Sequence, residues 1–200
     1  MMKILCLGDS LTFGYGVSPK ENWVCLVEKQ TGICMVNEAV NGNTTGGMLA
    51  YFPYAVKSHK PDAVFIMGGS NNILFSDSDV SARSDMGALI YLCFHEKIRP
   101  IVGIPIAMNP PVRRDWASIT DIHKAQNTSD SYCLWLRDFC RIFSKNQLTC
   151  IDFRKGIPLM ALEQGIDINS WYLDGIHLNT EGQRVMAKVF IEDMNKSKMG

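Results

Sequence analysis

The chain reads as an α/β protein built on a parallel sheet with helices on both faces. Two observations predict this class. Five short, continuously apolar runs recur along the 200 residues, and the segments between them carry apolar residues at roughly helical spacing. Unbroken apolar runs of this length suit strands buried on both faces. Strand alternating with helix then calls for right-handed crossovers that pack back onto the sheet. Composition agrees: 46% of residues are hydrophobic, enough for a sizeable core, and the length suits one domain over residues 1–200.

The elements follow in order. The strand runs are Ile4 to Leu7, Ile33 to Val36, Ala63 to Met67, Ile101 to Ile104 and Leu148 to Phe153. Helical spacing appears around Trp23–Gln30, Thr45–Ser58, Val80–Lys97 and Ser131–Lys145, and a last helix covers Glu181–Asn195. No internal repeat, low-complexity tract or linker divides the chain. Pro105 to Asp130 breaks the rhythm: it holds Pro105, Pro110 and Pro111 and carries Arg113, Arg114 and Trp116. A connection of that length is usually functional, and it leaves the sheet at the edge where such folds bind ligands. It is expected to be a lid or substrate wall, or else a surface excursion with a small helix.

Charge and cysteine usage narrow the classes of function. Lys plus Arg and Asp plus Glu are 20 each, so the formal net charge is zero. That balance gives no electrostatic reason to expect nucleic acid or an anionic membrane as partner. The seven cysteines are an odd number, without CxxC spacing, and several sit in apolar runs. Reduced thiols are the expectation, rather than a zinc site, a dithiol centre or a disulfide framework. Met1-Met2-Lys3 leads straight into the first strand, and no stretch approaches the roughly eighteen apolar residues of a membrane span. A soluble, cytoplasmic protein is expected.

Three strand exits carry small, polar or glycine-rich clusters: Gly8-Asp9-Ser10-Leu11, Asn41-Gly42-Asn43-Thr44-Thr45 and Gly68-Gly69-Ser70-Asn71-Asn72. In a parallel sheet all three lie at one edge. Singly each has a structural explanation: a turn, or a helix cap at Asp9, Thr44 or Asn71. Asp174-Gly175-Ile176-His177 adds a carboxylate and an imidazole three residues apart. A hydroxyl nucleophile needs an adjacent base, that base needs an orienting group, and the oxyanion formed on attack needs fixed donors. Ser10, His177, Asp174 and the glycine- and asparagine-bearing turns supply those parts. His59, His95 and His123 sit in polar surroundings without metal-ligand spacing and are set aside. Trp171 and Tyr172 are read as pocket lining or as packing under the last loop. Trp23, Phe13 and Tyr15 are read as another wall.

These motifs, in this order, resemble the GDSL, or SGNH, hydrolase family, and the resemblance runs nearly end to end. Gly8-Asp9-Ser10-Leu11 matches the nucleophile block, Gly42 and Asn71 the oxyanion positions, and Asp174 with His177 the terminal DxxH pair. The sequence departs at Asn72, where many relatives have aspartate, and at Ala39, where glycine is common. The resemblance implies a flavodoxin-like three-layer α/β/α fold and metal- and cofactor-free hydrolysis of a small-molecule ester. Catalysis would fall to Ser10, Asp174 and His177, with the backbone N–H groups of Ser10 and Gly42 and the Asn71 amide as oxyanion hole. A small acyl ester, such as an acetylated carbohydrate or short lipid ester, is the expected substrate. Alternatives are a lysophospholipase or thioesterase acting on longer chains and a non-catalytic carbohydrate- or partner-binding module. The α/β-hydrolase fold is disfavoured because the GxSxG elbow is missing. Acyl length, substrate-binding residues and oligomeric state are not legible.

Overall fold

The computed structural model describes residues 2–109, 111–113 and 121–199. Strands β1 (Lys3–Gly8), β2 (Cys34–Asn37), β3 (Ala63–Met67), β4 (Arg99–Ile104) and β5 (Thr149–Asp152) form one parallel sheet in the order β2-β1-β3-β4-β5. Around it lie α1 (Ser10–Phe13), α2 (Trp23–Thr31), α3 (Thr45–His59), α4 (Ser70–Ser76), α5 (Val80–His95), α6 (Ile122–Phe143), α7 (Phe153–Gln164) and α8 (Thr180–Met199). This is the expected α/β/α fold with flavodoxin-like strand order, whose binding crevice lies where β1 separates connections running in opposite directions.

Side chains alternate along the strands, so each strand feeds two cores. Ile4, Cys6, Ala63, Phe65, Met67 and Ile101 point to the face covered by α2, α7 and α8. Leu5, Leu7, Val64, Ile66, Val102 and Ile104 point to the face covered by α3, α5 and α6. Trp23 anchors the first core: its ring lies 5.2 Å from Phe65, 5.6 Å from Phe153 and 5.4 Å from Phe190, centroid to centroid. Its Nε1 donates to the Leu11 carbonyl at 3.1 Å. Trp23 is therefore a core residue that braces the β1–α1 junction from beneath, not a pocket wall. Trp171 is likewise buried in that core, and the Tyr172 hydroxyl donates to the Ala107 carbonyl at 2.8 Å, so both pack beneath the last loop.

Several boundaries differ from the sequence reading. Helix α6 begins at Ile122 rather than Ser131, because the Asp121 carboxylate caps it by accepting from the N–H groups of His123 and Lys124. The later part of the 105–130 interval is thus regular helix with Ala125 and Ser129 on its buried face. Helix α7 was not expected; α4 was weighed only through the cap reading of Asn71, and its cap position is Gly69, with Asn71 inside the first turn. Gly156 and Pro158 disguise α7, yet a Cβ at Gly156 would stand 2.7 Å from Val189 Cγ1, so the glycine lets α7 lie close against α8. Pro110, Arg114 and Trp116 lie outside the described residues, so the lid reading of that part is not addressed by the structure.

Candidate active site

The four sequence motifs meet at the C-terminal edge of the sheet. β1 ends at Gly8, where a Cβ would stand 2.3 Å from Thr12 Oγ1, and the chain turns at once into α1. Asp9 caps that single turn: its Oδ1 accepts from the Leu11 N–H at 2.9 Å. The cap reading of Asp9 holds, and the same bond supports the turn that carries Ser10. Ser10 is the first residue of the turn, so its own N–H is one of the donors that no carbonyl within the helix takes up.

The base arrives from a hairpin between Trp171 and Asn179. Tyr172 and Leu178 form an antiparallel bridge, and the Leu173 N–H donates to the His177 carbonyl at 2.8 Å. Gly175 turns this hairpin at φ +83°, and a Cβ there would stand 2.8 Å from the carbonyl oxygens of Asn109 and Pro111. The strand-β4 exit is thus docked on the hairpin: Asn109 N–H donates to the Gly175 carbonyl at 2.8 Å and Arg113 N–H to the Asp174 carbonyl at 2.9 Å. Arg113, flagged in the sequence, meets the site through its backbone.

Within this frame the three polar side chains form a relay. His177 Nε2 lies 2.8 Å from Ser10 Oγ, and His177 Nδ1 lies 2.8 Å from Asp174 Oδ2. With the proton on Nδ1, the ring donates to the carboxylate and accepts from the serine hydroxyl. Asp174 Oδ1 accepts two backbone N–H groups, from Ile176 at 3.0 Å and His177 at 2.8 Å. Burial alone would raise the Asp174 pKa, but the hydrogen bonds from His177 and Ile176 outweigh it and hold the carboxyl below its ordinary value. A carboxyl biased toward its charged form is what a base-orienting group requires.

Gly42 and Asn71 face the same cleft. Gly42 lies in a turn closed by the Asn43 N–H donating to the Val40 carbonyl at 3.1 Å. Asn71 is buried in the first turn of α4, and its Nδ2 donates to the Asn43 carbonyl at 2.9 Å. That bond uses one amide hydrogen and orients the other. Asn72, the departure from the family pattern, braces these turns: its Oδ1 accepts from Thr45 N–H at 3.1 Å and its Nδ2 donates to Ser81 Oγ at 3.0 Å. Ala39, the other departure, is buried, and its N–H donates to Asn37 Oδ1 at 3.2 Å. Thr44 caps α3 and Thr45 begins it, as the sequence indicated.

The cleft floor holds Asp9, Ser10, Asn71 and His177, and its walls are Leu11, Tyr15, Leu74, Phe75 and Ile176. Leu11, Leu74 and Ile176 also line a small, more enclosed hollow of about 20 Å³, shared with Ser70, Ile73, Ile106, Ala107, Met108 and Ser129. The sequence reading missed Leu74, Phe75 and Ile176 as walls, although position could have found them. Leu74 and Phe75 lie one helical turn from Asn71, and Ile176 lies between Asp174 and His177. Of the first-connection wall, Tyr15 lines the cleft and Phe13 does not. His95 and His123 are exposed, and His59 pairs with Glu38 at 2.9 Å, away from the cleft. Among the described residues no group of three or more His, Cys, Asp or Glu is arranged to hold a metal, and no helix is long and apolar enough to cross a membrane.

Fold and site together define an SGNH-type hydrolase scaffold. The model of the GDSL-like lipase/acylhydrolase family matches residues 6–185, and the chain belongs to that family. An arylesterase of Vibrio mimicus is 36% identical over 95 residues, which cover 45% of this chain and 48% of that protein. The thioesterase 1/protease 1/lysophospholipase L1 of Escherichia coli K12 is 35% identical over 71 residues, 34% of each chain. The matched region thus spans half or less of these curated relatives. A lipolytic protein of the G-D-S-L family from Veillonella parvula shares the fold nearly end to end. Its TM-score is 0.78 at 21% identity, over 96% of this chain and 97% of that one.

Proposed function

We propose that the chain hydrolyses carboxylic esters of small acyl groups through an acyl-enzyme on Ser10. The observation that carries this reading is the unbroken relay of two 2.8 Å contacts from Ser10 Oγ through His177 to Asp174, at the floor of a cleft with apolar walls. In the proposed reaction Ser10 Oγ attacks the acyl carbonyl as its proton passes to His177 Nε2. Asp174 holds the ring in the required tautomer and stabilises the imidazolium. The oxyanion is received by the N–H groups of Ser10 and Gly42 and the free amide hydrogen of Asn71. His177 then protonates the leaving alcohol. Collapse of the intermediate breaks the ester bond and leaves the acyl group on Ser10. A water deprotonated by His177 attacks that acyl carbonyl, and the proton returns to Ser10 as the acid departs.

A second reading is longer acyl chains, for which the hollow behind Leu11, Leu74 and Ile176, only about 20 Å³ in this structure, would have to widen. The thioesterase and lysophospholipase activities in the name of the Escherichia coli relative agree with it. Hydrolysis of p-nitrophenyl esters from acetate to palmitate separates the two. A maximum at acetate or butyrate supports the small-acyl reading. A maximum at octanoate or beyond replaces it with the second. A folded protein inactive on the whole series and unreactive toward fluorophosphonate would move the assignment to a binding module.

A further inference from the structure

We infer that Tyr15 is a positioning residue for His177: its ring holds the imidazole in line with Ser10 and favours the imidazolium that forms during attack. The inference rests on the reading of Ser10 as nucleophile. The two rings meet with centroids 4.5 Å apart at an interplanar angle of 42°. Hydrogen bonds at Nδ1 and Nε2 lie in the plane of the imidazole. They leave rocking about the line that joins them comparatively soft, and a side chain packed on the ring face restrains that motion. An aromatic ring does more than fill the space, because its quadrupole favours a neighbouring cation.

The backbone around Tyr15 is built to deliver this contact. Gly14 and Tyr15 N–H groups both donate to the Ser10 carbonyl, at 3.0 and 3.1 Å, so the tyrosine is tied to the residue whose proton the imidazole takes. Gly16 follows at φ +82°, and a Cβ there would stand 2.5 Å from Leu173 Cδ1. Leu173 in turn donates its N–H to the His177 carbonyl. The segment carrying Tyr15 and the hairpin carrying His177 are therefore packed on each other at two points. Among the described residues, titratable groups around the imidazole include Asp174 on its own hairpin, Asp9 from the β1–α1 junction and Tyr15 itself. Arg113 adjoins Asp174 by a backbone contact.

The test is the pH dependence of p-nitrophenyl acetate hydrolysis for wild type, Tyr15→Leu and Tyr15→Phe, with Ser10→Ala as control. Leucine keeps an apolar group over the imidazole but removes the ring. The Leu variant is expected to lose about three- to tenfold in kcat with KM within about twofold. The acidic limb of its profile should move down by roughly half a pH unit. The Phe variant should restore both. A Leu variant with wild-type kcat and limb overturns the inference, as does one whose thermal stability falls while the limb stays in place. A Phe variant as impaired as the Leu variant would assign the effect to the hydroxyl instead. The rate of fluorophosphonate labelling of Ser10 should rank the three proteins in the same order, whatever ester is preferred. Wild-type turnover by Ser10→Ala would sink the nucleophile reading rather than the role of Tyr15.

Discussion

Ser10 and His177 are 167 positions apart in the chain, yet Ser10 Oγ and His177 Nε2 lie within 2.8 Å. The pairing is made by elements at opposite ends of the sequence. The serine leaves β1, an inner strand between β2 and β3, and the histidine sits on a hairpin held against that strand's exit. What fixes the hairpin is the loop after β4, through Asn109 and Arg113.

That docking predicts a large effect at Gly175. Alanine there would have to hold φ +83° with its Cβ 2.8 Å from two carbonyl oxygens and 2.9 Å from Val112 Cα, all of them backbone atoms that cannot swing aside. Gly175→Ala is expected to cost about 1–3 kcal/mol of stability and to lower kcat at least tenfold. Urea unfolding and ester hydrolysis on the same preparation check it; a variant unchanged in both would show that the hairpin does not depend on this contact.

Asn71→Ala removes one proposed oxyanion donor and leaves the relay intact. The expected loss is roughly 3–4 kcal/mol of transition-state stabilisation, about 10²–10³ in kcat, with KM little changed. A comparable rise in KM at constant kcat would place Asn71 in ground-state binding instead.

Asp174→Asn keeps the side chain's shape but removes the charge and reverses the tautomer that the imidazole must adopt. Activity is expected to fall by about 10²–10⁴. Retention of more than a tenth of wild-type kcat/KM would contradict the orienting role.

Asp9 predicts a pH effect on stability. Burial pushes its carboxyl up to about 7, against partial compensation from the Leu11 N–H, and its Oδ2 finds no hydrogen-bond partner among the described residues. In the unfolded chain the group titrates near 4. Between these values the native state binds the proton that the unfolded state has released. Stability from this group is therefore full below about pH 4 and is lost as pH rises through about 7, by up to roughly 4 kcal/mol. Asp9→Asn keeps the oxygen that accepts from Leu11 but cannot ionise. Its stability relative to wild type should rise from pH 4.5 to pH 8, measured as urea midpoints. A constant difference across that range would show that Asp9 is not held neutral.

The sheet and the relay were legible in the sequence for a shared reason. Runs such as Val64-Phe65-Ile66 are apolar on both faces because helices cover both, and the chemistry-bearing residues follow directly at the strand ends. What was not legible depends on contacts between distant segments. Helix α7 was hidden because Gly156 answers to Val189 on α8, and the start of α6 was hidden because Gln126, Asn127 and Thr128 look like loop until Asp121 is seen to cap them. Tyr15 could be read as a wall but not as a partner of His177. Only the flanking Gly14 and Gly16 hinted that the backbone there is specially shaped.

The central claim is that Ser10 is a nucleophile activated by His177. The most direct measurement is covalent labelling with a fluorophosphonate, located by peptide mass spectrometry, in wild type, Ser10→Ala and His177→Ala. One phosphonyl adduct on Ser10 in the wild type, none in Ser10→Ala and labelling slowed at least a hundredfold in His177→Ala is the predicted result. An adduct on another residue, or undiminished labelling without His177, would contradict the account.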